Sequence, residues 1–560
     1  MSLKPNIVTE EAFKIIDKQV DEHLKAIILL KSQRNTYAPI SRLPPELFTR
    51  IFEFCRKDNH PLRPWSLNSM RWIRCTHVCH AWREIALNSP TLWSDIDDAF
   101  PKWAEQMLAR SKMADLKVNF KLSYDRMQWA TRSTTQAVLA NAFRIQDLSI
   151  QVEEGTHRAI FPYLPKSAPR LQSLNIRVNG WPTAPRSTST LPKESFLQTE
   201  RLKSLEISGC VLDWAHHLAG KNTLTVLRLR DSPNISSIPA DQFIDIFAQL
   251  GSLETLELAS AFPIVEAPLD VHSRPRVRLQ LLQELTLLCT PEQVDLFFRF
   301  VDVPPGIIVD ITSEGHNNAN FTGILASLSS ILSPEVSSPR IQSLTFYYST
   351  GLRMSAHSCL YQERSLAETF GAPDGQVFPT KLVFSLTLTL SPSNSVERDE
   401  LWTSTFSSLP LSNTVEATVF SMDYLSCATM ANTLGRLPHL TSLVLMANFC
   451  GLAEMLQETQ PDPDEESPLS PPKLVFSQLR SLTMDEFSFL QSDGLPLDSF
   501  IESLIWRYEH GAEIERLNLQ YCYGLCYEDV NLLREVVVDV IWDENEDGRP
   551  SFPPSLHSSP

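Results

Sequence analysis

The chain has 560 residues, 43% of them hydrophobic, and a formal net charge of −17. That length suits several domains, or one long repeat array with an added module. The charge excludes a general nucleic-acid binder, which needs a basic surface to release counterions, and no apolar run reaches the length of a membrane span. Residues 1–100 balance 14 basic against 12 acidic groups, whereas residues 509–548 hold 11 acids and 2 bases, which reads as a solvated face and a loose end. Met1 to Glu10 has no apolar core of a signal peptide. The ten cysteines are scattered rather than paired at short spacings. A reducing compartment, cytoplasm and/or nucleus, is therefore expected.

The first predicted element is a helix over residues 9–34. Phe13, Ile16, Val20, His23, Ile27 and Leu30 recur at spacings of 3 and 4 with charged residues between, a heptad-like seam. Thr9 followed by Glu10 and Glu11 suits its N-terminus. Three to four heptads are normally needed to pair helices. The first reading is thus a single amphipathic helix laid on the next module or its partner. A homodimer through residues 13–30 is the second.

Residues 38–95 form the next unit. Arg42-Leu43-Pro44-Pro45-Glu46 reads as a helix start, with prolines where a missing N–H costs nothing. Leu47, Phe48, Ile51, Phe52 and Cys55 follow at helical spacing. A proline-containing loop, Arg56 to Pro64, precedes a second predicted helix from about Ser69 to Leu87, stopped by Pro90. Three short helices in about 50 residues bury too little apolar surface to stand alone, so exposed apolar residues there imply a partner. Leu43-Pro44, Ile51-Phe52, Val78-Cys79-His80-Ala81-Trp82 and Leu92-Trp93 occur in that order, and in this the segment resembles an F-box. The resemblance implies docking on a Skp-type linker protein and, through it, on a cullin. The implied docking residues are Leu43, Pro44, Pro45, Leu47, Ile51, Phe52, Val78, Cys79, Trp82, Leu92 and Trp93. The departure from the pattern is the longer loop carrying Pro61, Pro64 and Trp65.

Over residues 100–140 the chain predicts a helix from Trp103, then a strand with Leu116, Val118 and Phe120. This would be a connecting cap for the open end of an array. From 141 to 545 one pattern recurs, Leu-x-x-Leu-x-Leu with conservative swaps. It appears as Ile145/Leu148/Ile150, Leu171/Leu174/Ile176, Leu202/Leu205/Ile207, Leu224/Leu227/Leu229, Leu253/Leu256/Leu258 and Leu282/Leu285/Leu287. It continues as Ile341/Leu344/Phe346, Leu440/Leu443/Leu445, Leu479/Leu482/Met484 and Ile514/Leu517/Leu519. Weaker copies lie near Ile307–Ile311, Val383–Leu388 and Val415–Phe420. The intervals suit a repeat solenoid, and the alternation within each motif suits a half-buried strand. The units resemble irregular leucine-rich repeats of the F-box-associated kind. Asn179, Cys210, Asn448 and Cys522 fall at the ninth motif position, with Ser232, Thr290 or Ser349 there in other units. A side chain at that position can turn inward and bond turn backbone groups. The expected fold class is an α/β solenoid: a helical F-box followed by a curved, leucine-rich-repeat-like array with a parallel inner sheet. A βαβ domain with parallel strands is the rival, although no nucleotide fingerprint accompanies it. Loops are expected at Trp181–Pro192, Ser391–Ser395 and Thr459–Lys473, and a loose tail over 546–560.

Chemistry-bearing patterns are sparse. Cys75, His77, Cys79 and His80 on one helix would point around the cylinder rather than at one ion, and Cys522 with Cys526 has no matching pair. Gly-x-Ser-x-Gly, a phosphate-binding glycine loop and His-Glu-x-x-His do not occur. No metal or other cofactor is expected, and no catalytic residue. The reading is a non-catalytic substrate receptor of a Skp–cullin–F-box type ubiquitin ligase, with a protein substrate of unknown identity. Its alternative is a non-ligase F-box scaffold. On the inner strand face Arg177, Glu206, Arg228, Arg230, Glu257, Tyr347, Met446, Asp485, Arg516 and Gln520 would point to the concave surface. Arg228, Arg230, Glu257, Tyr347 and Arg516 are the candidate substrate contacts.

Overall fold

A computed structural model describes residues 7–57, 67–97, 101–122, 129–180, 189–232, 237–266, 276–314, 321–332, 341–348, 351–358, 382–389, 395–420, 426–446, 451–460, 473–490 and 494–544. They fall into two units, residues 1–217 and 218–560. The expected tail at 546–560, residues 181–188 and 391–394 of the expected loops, and the ninth positions Asn448 and Ser349 lie outside the described residues, as does most of the loop after Arg56.

The first unit begins with α1 (Ile7–Thr36), which is longer than the seam required. A 3-10 turn at Pro39–Arg42 leads to α2 (Pro45–Lys57). The second predicted helix is corrected by the structure. Leu67–His77 is 3-10 helix, and only His80–Leu87, α3, is α-helix. Between them Cys79 is extended, with φ −158° and ψ 170°. The tighter winding has a packing reason. It buries Trp72, whose ring meets Trp93 edge-on at 4.9 Å. Phe48 and Phe52 of α2 lie 5.3 and 5.5 Å from Trp82 of α3. The Trp93 indole N–H donates to the Ala86 carbonyl at 2.8 Å, within the closed interior.

This helical module runs straight into a parallel sheet. Strand β1 (Asp95–Asp97) pairs with β2 (Leu116–Leu122), followed in order by β3 (Ile145–Glu153), β4 (Ser173–Asn179) and β5 (Ser204–Ser208). The helix Pro101–Arg110 precedes β2, as the sequence predicts for the connecting segment. Yet β2 is an inner strand of this unit's sheet. The strand outside it is β1, three residues beyond the module's last turn. Register places Ile96, Val118, Leu148, Leu174 and Leu205 side by side in one column.

The second unit repeats the plan. Besides short strands paired two by two, its strands are β6 (Val226–Arg230), β7 (Thr255–Ala259), β8 (Glu284–Cys289), β9 (Ile308–Glu314), β10 (Ser343–Tyr348), β11 (Gly351–His357), β12 (Leu382–Thr389), β13 (Glu416–Phe420), β14 (Ser442–Met446), β15 (Ser481–Asp485), β16 (Arg516–Gln520) and β17 (Asp539–Trp542). The three weaker motifs are thus strands β9, β12 and β13. A single column joins Leu227, Leu256, Leu285 and Val309 at one end, and Ala417, Leu443, Leu482, Leu517 and Val540 at the other. Between strands run helices such as Ala240–Gln249, Pro291–Phe300 and Leu497–Glu509. The architecture is an α/β repeat type, with strands alternating with helices in largely parallel sheets.

One departure interrupts the parallel order. Strand β11 runs antiparallel to both β10 and β12, and β9 pairs with β12 rather than with β10. Only two residues separate Tyr348 from Gly351. So short a link reverses the chain into a hairpin, because a parallel crossover needs about a dozen residues. At the ends of the Thr459–Lys473 insertion, Thr459–Gln460 and Lys473–Leu474 also pair antiparallel.

Strand ends share a backbone device. The residue directly after the strand is left-handed at Gly209, Asp231, Ser260, Glu486 and Tyr521. The N–H of Asp231 and Glu486 then donates to the last carbonyl of the next strand, and that of Ser260 to the penultimate one, Leu288, at 2.8–3.0 Å. Gly209 permits this and more, since a Cβ there would lie 2.0 Å from the Val178 carbonyl oxygen. The ninth position is divided in use. Cys210 and Cys522 are buried, and the Cys522 thiol donates to the Met484 carbonyl at 3.6 Å. Asn179 is exposed at the end of β4, because that strand runs two residues longer than β5 and carries it outward. Thr290 instead caps the helix Pro291–Phe300 in a box with Gln293.

Arg507 is the least expected interior residue. It is wholly buried on the helix Leu497–Glu509, and its guanidinium donates to the carbonyls of Leu456, Val475, Phe476 and Ala512 at 2.7–3.2 Å. Burial pulls its pKa down to about 10, helped by nearby Arg480, so it stays charged at neutral pH. Three segments owe their carbonyl pairing to this one side chain. Arg507→Met should therefore cost the second unit more than ~2 kcal/mol, the order expected for several buried acceptors left without donors. A denaturant melt of the variant beside the parent checks this.

Candidate functional site

The helical module presents one solvent-facing apolar strip. Positions 47, 51 and 54 fall within one narrow sector of α2, since residues three and four apart stack on a helix. Phe48 and Phe52 occupy the adjoining sector, which faces the core. Leu47 is 42% and Phe54 67% exposed, with Ile51 half-buried between them. Pro44 and Pro45 are exposed at the head of the strip, and the Pro44 carbonyl accepts from the Leu47 N–H at 3.1 Å. Ile40 and Val78 are exposed on the flanking turns.

The eleven expected docking residues thus separate into surface and interior. Pro44, Pro45, Leu47 and Val78 are exposed, and Leu43, Ile51, Cys79 and Trp82 are half-buried. Phe52, Leu92 and Trp93 are buried and support the module from within. Sequence reasoning passed over Ile40 and Phe54, although Phe54 continues the Leu47–Ile51 spacing by one turn.

Polar contacts lock this module to β1. The Arg56 guanidinium donates to the Thr91 carbonyl at 3.0 Å and pairs with Asp95 at 3.3 Å. Thr49 and Ser89 share a hydrogen bond of 2.9 Å between α2 and the turn before Trp93. Arg110, from the next helix, stacks over the Trp93 ring at 4.3 Å. Behind Arg56 and Trp72 lies a cleft of about 460 Å³, also lined by Lys117 and Asp147, which pair at 3.1 Å. Its described lining includes no cysteine or histidine.

The break before α3 changes the geometry assumed for Cys75, His77, Cys79 and His80, which do not share one helix. Among the described residues no group of three or more His, Cys, Asp and Glu could hold a metal ion. Burial, with neighbouring Cys55, raises the Cys75 thiol. Burial likewise pushes Cys210, Cys289 and Cys522 up to about 12, so these thiols stay protonated. No described helix is long and apolar enough to cross a membrane.

The five expected substrate contacts do not converge. Arg228 and Arg230 of β6 both turn onto Glu257 of β7, the first at 3.6 Å and the second through two contacts. Arg516 starts β16 and pairs with Asp539 at 2.8 Å. Tyr347 is the next-to-last residue of β10, and its ring lies 6.3 Å from that of Phe420. In ladder register Tyr347, Phe420, Met446, Asp485 and Gln520 form a row across β10, β13, β14, β15 and β16. Each follows a buried residue and turns to the opposite face. The row is apolar at one end and polar at the other. Phe420 went unnoticed because its motif is the weak one at Val415–Phe420.

A family model described as F-box-like matches residues 40–99. The N-terminal module is an F-box-like domain. It includes β1, so the match ends inside the sheet's first strand region rather than before it. No curated protein matches the chain.

Asp485 gives a titration test. Burial, then Glu486 and Asp543, push its carboxyl up to about 6 from an ordinary 3.8. The native state therefore binds the extra proton between those values, and stability falls as pH rises through about 4 to 6. Asp485→Asn removes that loss. The group is partly solvated, so the gain at pH 7 should be only about 1 kcal/mol, vanishing below pH 4. Melts of parent and variant at pH 4 and pH 7 check both sign and window.

Proposed function

We propose that the chain is the substrate-receptor subunit of a Skp–cullin–F-box type ubiquitin ligase. The observation that carries this is the coincidence of the F-box-like match at residues 40–99 with a solvent-facing apolar strip on α2. A strip of Leu47, Ile51 and Phe54, flanked by Ile40, Pro44, Pro45 and Val78, suits the apolar anchors of a protein interface. The linker binds there, and a cullin follows through the linker. Phe52, Trp82, Leu92 and Trp93 keep the strip in shape.

The strand array, read as leucine-rich-repeat-like, holds the substrate on its outward strand face. The row from Tyr347 to Gln520 is the best-formed candidate on that face, and the Arg228–Glu257–Arg230 cluster is a second. The subunit itself makes and breaks no bond. It raises the local concentration of substrate lysines at the ligase's transferring enzyme and orients them.

Leu47→Glu with Phe54→Glu should weaken linker binding by ~2–4 kcal/mol, the range for buried interface anchors, while leaving the thermal melt unchanged. Co-purification of tagged chain with linker and cullin reads this out. Linker capture unaffected by the double variant would sink the docking assignment. Linker without cullin would favour a scaffold outside the ligase.

A further inference from the structure

Helix α1 is the most exposed apolar element among the described residues. Phe13, Ile16, Val20, Leu24, Ile27 and Leu30 all lie about half or more in solvent, and none of its side chains is buried among the described positions. It is 30 residues long, about 45 Å at 1.5 Å per residue. A helix of this length carrying such a stripe normally has a packing partner. The expectation that it lies on the neighbouring module is not what the structure shows, since α1 keeps its apolar side chains clear of it.

We propose that α1 pairs antiparallel with the α1 helix of a second copy of the chain. Charge selects the occupant and its direction. Residues 7–21 carry four acids and two bases, and residues 22–36 one acid and three bases. Each helix is thus acidic in its first half and basic in its second, complementary to its own reverse.

The seam then fixes one register. Laying Ile7 of one helix opposite Thr36 of the other overlaps all 30 residues. In that register Phe13 meets Leu30 of the second copy, Ile16 meets Ile27, and Val20 meets His23. The flanking positions follow without adjustment. Glu10 of one helix lies two residues from the position facing Lys31 of the other, on the same flank and at both ends. A parallel pair would instead set His23 against His23 and bring no opposite charges together at the flanking positions. Ile15, Ile28 and Leu29 lie off the seam. The proposal is independent of the ligase reading. If both hold, each assembly carries two F-box-like domains and two strand arrays, which raises avidity for a substrate with two contact points.

Sedimentation equilibrium of the full chain tests this. A dimer is expected. Glu10→Lys should weaken it roughly tenfold, because two attractive flanking pairs become repulsive, and adding Lys31→Glu should restore it. Ile16→Ser with Ile27→Ser should abolish the dimer, whereas Ile28→Ser with Leu29→Ser should leave it intact. Each variant should keep the parent's melting midpoint, since α1 stands apart from the core. A monomer at tens of micromolar overturns the proposal. So does a Glu10→Lys defect that Lys31→Glu fails to restore, or an equal loss in the seam and off-seam variants.

Discussion

Everything in this molecule depends on strand register. A repeat of this kind cannot bury its apolar residues alone. The second apolar side chain of each motif is covered only when the next strand places its counterpart beside it. Within the first unit the column Ile96–Val118–Leu148–Leu174–Leu205 meets that condition. Within the second, Leu227–Leu256–Leu285 and Leu443–Leu482–Leu517 do the same. A slip of one residue would turn every leucine to the other face. The left-handed residues at strand ends hold the register from outside the ladder. Their N–H groups, as at Asp231 and Glu486, reach the last carbonyl of the following strand.

The same constraint explains how the F-box-like domain is attached. A module of three short helices has too little core of its own. Here its closing Trp93 is gripped from the far side by Arg110, and Arg56 spans from α2 to Asp95 on β1. The domain is in this sense the first turn of the array. Mechanically, the apolar strip on α2 is braced against a sheet edge rather than carried on a tether.

Polar residues inside the array do the work that the regular pattern leaves undone. Where the chain leaves the ladder between Leu456 and Phe476, carbonyls would be stranded, and Arg507 collects them. The aromatic contacts of Phe346 with Trp402 and of Phe243 with Phe247 fill the broader gaps beside the strands. Repeats of irregular length thus keep a continuous core by substituting local solutions for strict periodicity.

Most of the strands were legible in the amino-acid sequence, because burial of one face imposes a period of two that composition cannot hide. The weak motifs at Ile307–Ile311, Val383–Leu388 and Val415–Phe420 proved to be strands of the same set. The F-box-like segment was legible too, through Leu43-Pro44 and the spaced tryptophans. What sequence could not supply was direction and exposure. Periodicity is identical for parallel and antiparallel strands, so the reversal at β11 waited on the short link before Gly351. A 3.6-residue stripe names a helix but not its packing, so it predicts one helix from about Ser69 to Leu87, whereas Leu67–His77 winds as 3-10 helix with Trp72 against Trp93. Motif membership likewise could not say that Leu47 faces solvent while Phe52 and Trp93 face inward. Local pattern determines which residues seek burial; only the tertiary structure decides what buries them, because that depends on neighbours distant in the chain.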